Sequence, residues 1–158
     1  MSGQYSPRHG IYTVGNSQRG KSELRRLIPE KNRTTLPASV TTLGELFQSA
    51  DYQTAYMGKW HLGSPGQEGP LEQGFDINIG GNKTGTPKGG HHAPYKNPQL
   101  PDPEGPEYLT DRLTDEAIQF IEQNKTDPFF LFLSHYAVHT PVQAKPAITK
   151  KYQRNAKQ

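Results

Sequence analysis

The sequence predicts an α/β fold, and the order of its local patterns carries that prediction. A helix-type stripe of apolar residues over 41–50 is followed by a strand-type alternation over 52–61. After a long loop, a second helix pattern over 108–124 leads into the apolar segment PFFLFLS at 128–134. Helix, strand, loop, helix and strand in this order are typical of an α/β domain, because each helix can cover the sheet that its neighbouring strand joins.

The composition indicates part of a larger domain. The length of 158 residues suits one domain. Hydrophobic residues make up 31% of the chain, or about 41% once glycine is counted, against roughly 45–50% in a typical domain. Only 128–134 is apolar enough for a strand buried on both faces, and one such strand cannot form a parallel sheet.

The first helix and strand have clear local signals. Thr42 and Glu45 have the spacing of a capping box, in which the two side chains satisfy free backbone N–H groups at a helix start. The predicted apolar stripe of this helix consists of Leu43, Leu46, Phe47 and Ala50. In the predicted strand, Tyr52, Thr54 and Tyr56 alternate with smaller or polar neighbours.

Glycine and proline recur every few residues from 63 to 106, too often for a helix or an interior strand. A connection this long is uncommon inside a compact domain and is usually functional. A second helix is predicted over 108–124, with Thr110 as its N-cap and Asp111 in its first turn. The predicted buried face of this helix is Leu113, Ala117, Phe120 and Ile121.

The net charge of +3 comes from the C-terminal tail, since residues 144–158 carry five positive charges and no acid. A basic tail can bind nucleic acid or an anionic membrane. Tyr152 is its only aromatic residue, which favours a solvated helix face over a partner of either kind. The chain has no cysteine and no apolar stretch of 18 residues, so we expect no disulfide, no thiol catalysis and no membrane span within it.

A phosphate-binding loop is the first functional alternative. The pattern G-x-x-x-x-G-K-[ST] is matched by Gly15, Gly20, Lys21 and Ser22. A candidate strand at 11–14 and a candidate helix at 22–28 flank it, but Pro29 ends that helix too early for it to cross a sheet. The apolar strand also ends in Ser134 and His135 rather than in an acid that would help hold Mg²⁺. A surface loop is favoured over an NTPase site.

The segment MGKWHLG at 57–63 carries a stronger chemical signal. Lys59 and His61 are two residues apart, so on an extended chain both point to one face while Trp60 points into the core. Lysine supplies a compact positive charge, and histidine accepts or donates a proton near neutral pH. This pairing at the end of a strand suits a substrate that carries an oxyanion.

A second histidine group follows the apolar strand, in SHYAVHTPVQ at 134–143. Active groups of open α/β sheets gather at the carboxyl ends of strands, and His139 lies just beyond such an end. Taken alone, any one of these histidines is more often a surface or structural residue. Two strand ends that each carry a histidine, one with Lys59 beside it, favour a shared site.

Together these motifs resemble the sulfatase family over nearly the whole chain. DYQTAYMGKWHLG at 51–63 is similar to the second signature of the family, a Gly-Lys-Trp-His-x-Gly element after a Tyr-x-Thr strand. EYLTDRLTDEAIQFIE at 107–122 and PFFLFLSHYAVHTPVQA at 128–144 are similar to the helix, strand and histidine loop further downstream. SGQYSPRHGIYT at 2–13 resembles the segment after the first signature, Cys/Ser-x-Pro-x-Arg.

The resemblance implies an alkaline-phosphatase-like fold, a three-layer sandwich in which a mixed sheet lies between helices. Residues 1–158 would then form a single partial catalytic domain. Its expected segments are 1–40 after the first signature, 41–63 with the helix and the Lys-Trp-His strand, 64–107 as a loop region on the substrate side, 108–143 with the helix, buried strand and histidine loop, and 144–158 as a truncated basic tail.

The implied activity is hydrolysis of a sulfate ester in a sulfated small molecule or carbohydrate. In the family, a formylglycine made from the Cys or Ser of the first signature attacks sulfur, and a divalent metal, usually calcium, polarises the sulfate. By resemblance, Lys59 would bind sulfate oxygens and His61 would contact the formylglycine hydrate and act as a base. His139 would hydrogen-bond the sulfate and help protonate the departing alcohol.

The loop region supplies weaker candidates for substrate contacts, namely Asn82, Lys83 and His92. The neighbouring pair His91 and His92 could also bind a metal, but in a glycine-rich loop we expect both to be exposed to solvent.

Several groups that the resemblance requires are expected outside these residues. The formylglycine precursor would precede Met1, and the metal ligands would precede Met1 or follow Gln158, so this chain would hold no metal and would be inactive alone. The whole enzyme would be secreted, periplasmic or lysosomal. The alternatives are a phosphonate or phosphodiester hydrolase of the same superfamily and a non-catalytic truncated product.

Overall fold

The computed structural model describes residues 1–16, 18 and 20–156; Ser17, Arg19, Lys157 and Gln158 lie outside the described residues. Its helices are α1 Ser6–His9, α2 Leu43–Gln48, α3 Leu109–Asn124 and α4 Pro146–Asn155. Its strands are β1 Gln53–Gly58, β2 Ile77–Ile79 and β3 Phe129–Ser134. Two short 3₁₀ helices, Ser22–Leu24 and Leu71–Gln73, lie in the connections.

The three strands form one parallel sheet in the order β2-β1-β3. Ala55 in the central strand pairs with Ile77 on one side and Leu131 on the other. The α/β prediction is confirmed, but the expectation that this chain lacks the strands for a parallel sheet is wrong. β1 is buried at five of its six positions although its sequence is QTAYMG, because α2 and α3 cover it.

Helices pack on both faces of the sheet. Met57 points to one face, in a buried cluster that includes Phe120 of α3. Its neighbour Tyr56 points to the other face, where Phe47 of α2 stacks on Phe130 with ring centroids 4.2 Å apart. This alternation along the strands produces the three layers of the expected sandwich. β3 is less buried than predicted, since Leu133 is 37% exposed and no strand of the described residues pairs with the outer edge of β3.

The capping box of α2 is present as predicted. The Thr42 hydroxyl accepts from the Glu45 N–H at 3.2 Å, and the Glu45 carboxylate accepts from the Thr42 N–H at 2.7 Å. The predicted burial of the apolar stripe is wrong, because Leu43 and Leu46 are 39% and 55% exposed. Gly44 faces the core instead, so close to the chain beneath it that a Cβ would lie 2.6 Å from the Gln73 carbonyl oxygen.

Helix α3 matches its predicted position and buries Leu113, Ala117 and Phe120, while Ile121 is 40% exposed. The predicted N-cap, Thr110, is wrong. The N-cap is Tyr108, whose side chain makes no capping hydrogen bond. A capping side chain is not needed at Leu109, because its N–H donates to the His91 carbonyl at 2.8 Å.

The long connection between β1 and α3 is more ordered than its glycine and proline content predicts. It contains the short strand β2, which pairs with β1 at the edge of the described sheet. The prediction excluded only a helix or an interior strand, and an edge strand is compatible with it. Tyr95 and Leu100 from this region are each 1% exposed and pack with Tyr136 beyond β3. The loop therefore shares a small buried core with Leu109 and Leu113 of α3.

The segments at the two ends of the chain contain little that packs on the sheet. No strand forms at 11–14, and the candidate helix at 22–28 is reduced to the 3₁₀ turn Ser22–Leu24, so the elements that an NTPase loop needs are not formed. Helix α4 is solvated as predicted for the basic tail. Within the described part of the chain, no helix combines the length and apolar character that crossing a bilayer requires.

Candidate functional site

The candidate site begins where β1 and β3 end side by side. The Lys59 N–H donates to the Ser134 carbonyl at 2.7 Å, so the backbone that carries Lys59 is attached to the end of β3. Gly58 permits this contact. Its φ is +102°, and a Cβ at this position would lie 1.9 Å from the Ser134 carbonyl oxygen. Position 58 must therefore be glycine for Lys59 to be placed at the sheet edge.

Lys59 and His61 share a face for a different reason from the one that the sequence indicates. The strand ends at Gly58, and His61 has a left-handed backbone with φ +60° rather than an extended one. The His61 N–H donates to the Asn82 carbonyl at 3.0 Å, which holds this conformation. Both side chains line one cleft of about 590 Å³ together with Lys83. The prediction of an extended segment through His61 is wrong.

Trp60 anchors the segment between these two residues. Its indole is 4% exposed, as predicted for a core residue, and its Nε1–H donates to the Glu68 carbonyl at 2.8 Å. The ring packs edge-on against Tyr56 with centroids 4.9 Å apart. Burial of the indole fixes the short turn from which Lys59 and His61 project.

The imidazole of His61 lies directly against the glycine-rich loop. A Cβ at Gly85 would be 2.3 Å from Nδ1 of His61 and 2.5 Å from its Cε1. Any side chain at Gly85 would thus displace the ring. The close approach of this backbone restricts the orientations that His61 can adopt, and the sequence alone contains no pattern that pairs these two positions.

The surroundings of His61 lower its pKa. Partial burial, the charge of Lys59 and the charge of His139 each lower the pKa of His61 below its ordinary value of 6.5. His139 follows β3, whereas Lys59 and His61 follow β1, so the sheet brings the three predicted residues within electrostatic range. The neutral imidazole, which can accept a proton, is the favoured form of His61 at neutral pH.

Replacing Lys59 by glutamine is expected to raise the pKa of His61 toward 6.5, because one of the charges that oppose its protonation is removed. Burial, the largest cause, remains, so the pKa should stay below the ordinary value. NMR titration of the imidazole protons measures the change. Lys125→Gln, on the far end of α3, is the control of equal charge change, and an unaltered His61 pKa in Lys59→Gln would contradict the proximity of the two groups.

The same lowered pKa affects stability. Because folded His61 binds a proton less readily than the unfolded chain does, the unfolded state takes up more protons as the pH falls below 6.5. The contribution of His61 to the free energy of unfolding is therefore present above pH 6.5 and is lost as the pH falls toward the folded pKa.

The loop that carries His139 is held by His91, a residue that the sequence predicts to lie in solvent. The His139 N–H donates to the Tyr136 carbonyl at 2.9 Å, and the His139 carbonyl accepts from Nε2 of His91 at 2.9 Å. His91 is only 1% exposed, so its expected exposure to solvent is wrong. It is buried because Gln143 accepts from its N–H at 2.7 Å and draws the histidine loop over it.

Two buried tyrosines form hydrogen bonds at the strand ends, one between β3 and β2 and one within the segment that follows β1. The Tyr136 hydroxyl, beyond β3, donates to the Gly80 carbonyl beyond β2 at 2.8 Å, and the Tyr56 hydroxyl in β1 donates to the Lys59 carbonyl. Burial raises the pKa of each of these hydroxyls to about 12. Both groups therefore stay protonated and remain donors at neutral pH, which keeps the site framework intact.

The chain that carries this geometry matches a known family along its whole length. A family model described as Sulfatase matches residues 1–158. The chain belongs to the sulfatase family.

Individual relatives agree with this assignment. The uncharacterized sulfatase YdeN of Escherichia coli (strain K12) is 30% identical over 89% of this chain and 27% of its own length. The N-acetylgalactosamine-6-sulfatase of Homo sapiens is 30% identical over 91% of this chain and 30% of its own. A solved structure, Ps i-CgsB in complex with k-i-k-neocarrahexaose, superposes with a TM-score of 0.65 at 25% identity, over 98% of this chain and 36% of that one. This sulfatase chain thus spans about a third or less of the proteins it matches.

The weaker substrate candidates of this sulfatase chain occupy different places. Lys83 is exposed and lines the cleft with Lys59. The Asn82 side chain is used within the loop, where its Oδ1 accepts from the Thr84 N–H at 2.8 Å, so its contact with the site is through its backbone carbonyl. His92 packs on Tyr108 with ring centroids 5.0 Å apart and does not line the cleft.

The described residues of this sulfatase chain do not fit a metal centre. They include no group of three or more histidine, aspartate or glutamate side chains that could hold a metal ion, and the chain has no cysteine.

Proposed function

We propose that this chain is part of an enzyme that hydrolyses a sulfate ester of a carbohydrate, with Lys59, His61 and His139 around the sulfate group. Lys59 and His61 follow β1 and line one cleft, and His139 follows the adjacent parallel strand β3 close enough to lower the pKa of His61. This arrangement at the carboxyl ends of the strands carries the proposal. The match of the whole chain to the sulfatase family supports it.

Each of the three side chains has a role that its surroundings permit. Lys59 would attract the sulfate oxygens and offset the negative charge that grows on them as the ester bond breaks. His61, held neutral by its lowered pKa, would accept a proton in the site. His139 is exposed and would donate a proton to the departing alcohol oxygen, which is otherwise a poor leaving group.

The attacking group is proposed to be a formylglycine, made from a Cys or Ser outside these residues. The chain has no cysteine, and the Cys/Ser-x-Pro-x-Arg motif would precede the segment SGQYSPRHGIYT. Ligands for a divalent metal would likewise be supplied from outside. We therefore propose that residues 1–158 alone do not turn over sulfate esters.

A carbohydrate substrate is supported by the comparisons. One relative is named N-acetylgalactosamine-6-sulfatase, and the solved structural neighbour binds a neocarrahexaose. The cleft beside Lys59 has a volume of about 590 Å³, within the range of about 300–1,000 Å³ that is usual for small-molecule sites.

The direct test is hydrolysis of 4-nitrophenyl sulfate by residues 1–158 and by the whole enzyme, in which this segment is joined to the nucleophile. We expect turnover by the whole enzyme and none by the segment. Turnover by the segment alone would overturn the assignment of the nucleophile. Faster hydrolysis of bis(4-nitrophenyl) phosphate than of the sulfate ester by the whole enzyme would favour a phosphodiester hydrolase instead.

A further inference from the structure

A second cavity adjoins the cleft that holds Lys59. It has a volume of about 280 Å³, and it shares Ser64 and Lys83 with the larger cleft. Two more lysines, Lys88 and Lys96, line it, and no carboxylate does. Its remaining polar lining consists of amides and hydroxyls rather than acids, so the cavity is a concentrated site of positive charge next to the proposed reaction centre.

Hydrogen bonds within the loop hold the cavity in shape. The amide of Asn82 donates to Oδ1 of Asn97 at 2.9 Å, and the amide of Asn97 donates to the Gly80 carbonyl at 2.9 Å. The Gly80 N–H in turn donates to the Gln99 carbonyl at 2.8 Å. The segments on the two sides of the cavity are therefore clamped to the end of β2 rather than free to move apart.

A separate contact keeps Lys88 close to Lys96. The Gly89 N–H donates to the Tyr95 carbonyl at 2.9 Å, and a Cβ at Gly89 would lie 2.0 Å from the Pro94 carbonyl oxygen. Each lysine is adjacent in sequence to one side of this contact, and Lys96 has a left-handed backbone with φ +53°. Like charges are thus held together by the backbone, although they repel each other.

The positive charge of this group is not neutralised by the protein. Among the residues that the structure describes, Lys83, Lys88 and Lys96 form no ion pair with an acid. All three are exposed to solvent. Three unpaired lysines around a rigid concave surface attract a ligand group that brings several negative oxygens.

We propose that this three-lysine cavity binds a second sulfate group, on the sugar unit next to the one whose sulfate is hydrolysed. The inference rests on the proposed function, because it assumes that a sulfated carbohydrate occupies the Lys59 cleft. It narrows the substrate class to saccharides with sulfates on neighbouring units. Lys83, which lines both cavities, would lie between the two sulfates.

The test compares binding of three disaccharides by the 158-residue chain, using NMR titration at low ionic strength. One carries a sulfate on each ring, one carries a single sulfate, and one carries none. We expect the doubly sulfated sugar to bind about fivefold more tightly than the singly sulfated one, a modest factor because exposed ion pairs are individually weak. The double variant Lys88→Gln/Lys96→Gln should reduce this preference to less than about twofold.

The control is Lys150→Gln/Lys151→Gln on α4, which removes the same charge from exposed positions that do not line the cavity. It should leave the preference unchanged. Equal binding of the two sulfated sugars by the unmodified chain, or a preference that persists in the cavity variant, would overturn the second-sulfate site. If neither sugar binds, this site is also rejected, whereas 4-nitrophenyl sulfate, with its single sulfate, still decides the proposed function separately.

Discussion

Replacing Lys59 by alanine is expected to lower kcat for sulfate ester hydrolysis by the whole enzyme by about 10²–10³-fold, the usual effect of removing one group that stabilises developing negative charge. Lys59 fits this role because its backbone is held between Ser134 and Tyr56 at the end of the central strand. A charge on so rigid a support needs little reorganisation as the ester bond breaks. Steady-state kinetics on 4-nitrophenyl sulfate measures the change.

Two further variants separate charge from geometry. Lys59→Arg keeps the positive charge but replaces a compact ammonium with a planar fork, so it should recover part of the lost rate. Lys125→Ala removes a positive charge from the exposed end of α3, where Lys125 pairs with Glu122, and should change kcat by less than about twofold. A decrease in kcat of less than tenfold in Lys59→Ala would remove this residue from the proposed mechanism.

Replacing Gly58 by alanine is expected to reduce the free energy of unfolding by more than about 3 kcal/mol, which places it among the most destabilising single substitutions. The new Cβ would lie 1.9 Å from the Ser134 carbonyl oxygen, and neither strand can move away without breaking the pairing of β1 with β3. The same carbonyl accepts the Lys59 N–H, so the substitution would also displace the lysine.

Gly66→Ala is the matched control for Gly58→Ala. Gly66 has a φ of +83°, yet no atom lies within 4 Å of its added Cβ. The decrease in the free energy of unfolding of Gly66→Ala should therefore come from backbone strain alone, about 1–2 kcal/mol. Urea unfolding followed by the fluorescence of Trp60, the single tryptophan, measures both variants. An equal decrease in the free energy of unfolding of Gly58→Ala and Gly66→Ala would mean that the contact with Ser134 is not the source of the destabilisation.

Helices were the most predictable part of the fold, because their signals lie within a few residues of one another. The Thr42–Glu45 capping box forms as its spacing predicts, and Leu113, Ala117 and Phe120 of α3 are buried as its period predicts. The strands were less predictable. β1 is the most buried strand although only β3 has a continuous apolar sequence, because burial of a strand depends on which elements cover it.

The candidate site residues also differ in how well the sequence could predict them. Lys59, His61 and His139 could be selected from their residue types and their places after strands. His91 could not, because its contact with the His139 carbonyl joins residues 48 positions apart, and a histidine in a glycine-rich loop is typically exposed. Gly85 gave no separate signal among so many glycines, although it is the one whose backbone lies against the His61 ring.

The sequence by itself determined the α/β class, the family motif around Lys59-Trp60-His61 and the chemistry that these residue types can perform. Only the tertiary structure decided that β1 is central, that His61 has a left-handed backbone supported by Asn82, and that three lysines surround one cavity beside the cleft. The physical reason is the distance along the chain over which each kind of interaction acts. Propensity and periodicity act between neighbours along the chain, whereas the pairing of strands and the packing of loops join residues far apart in sequence, whose contacts no local pattern specifies.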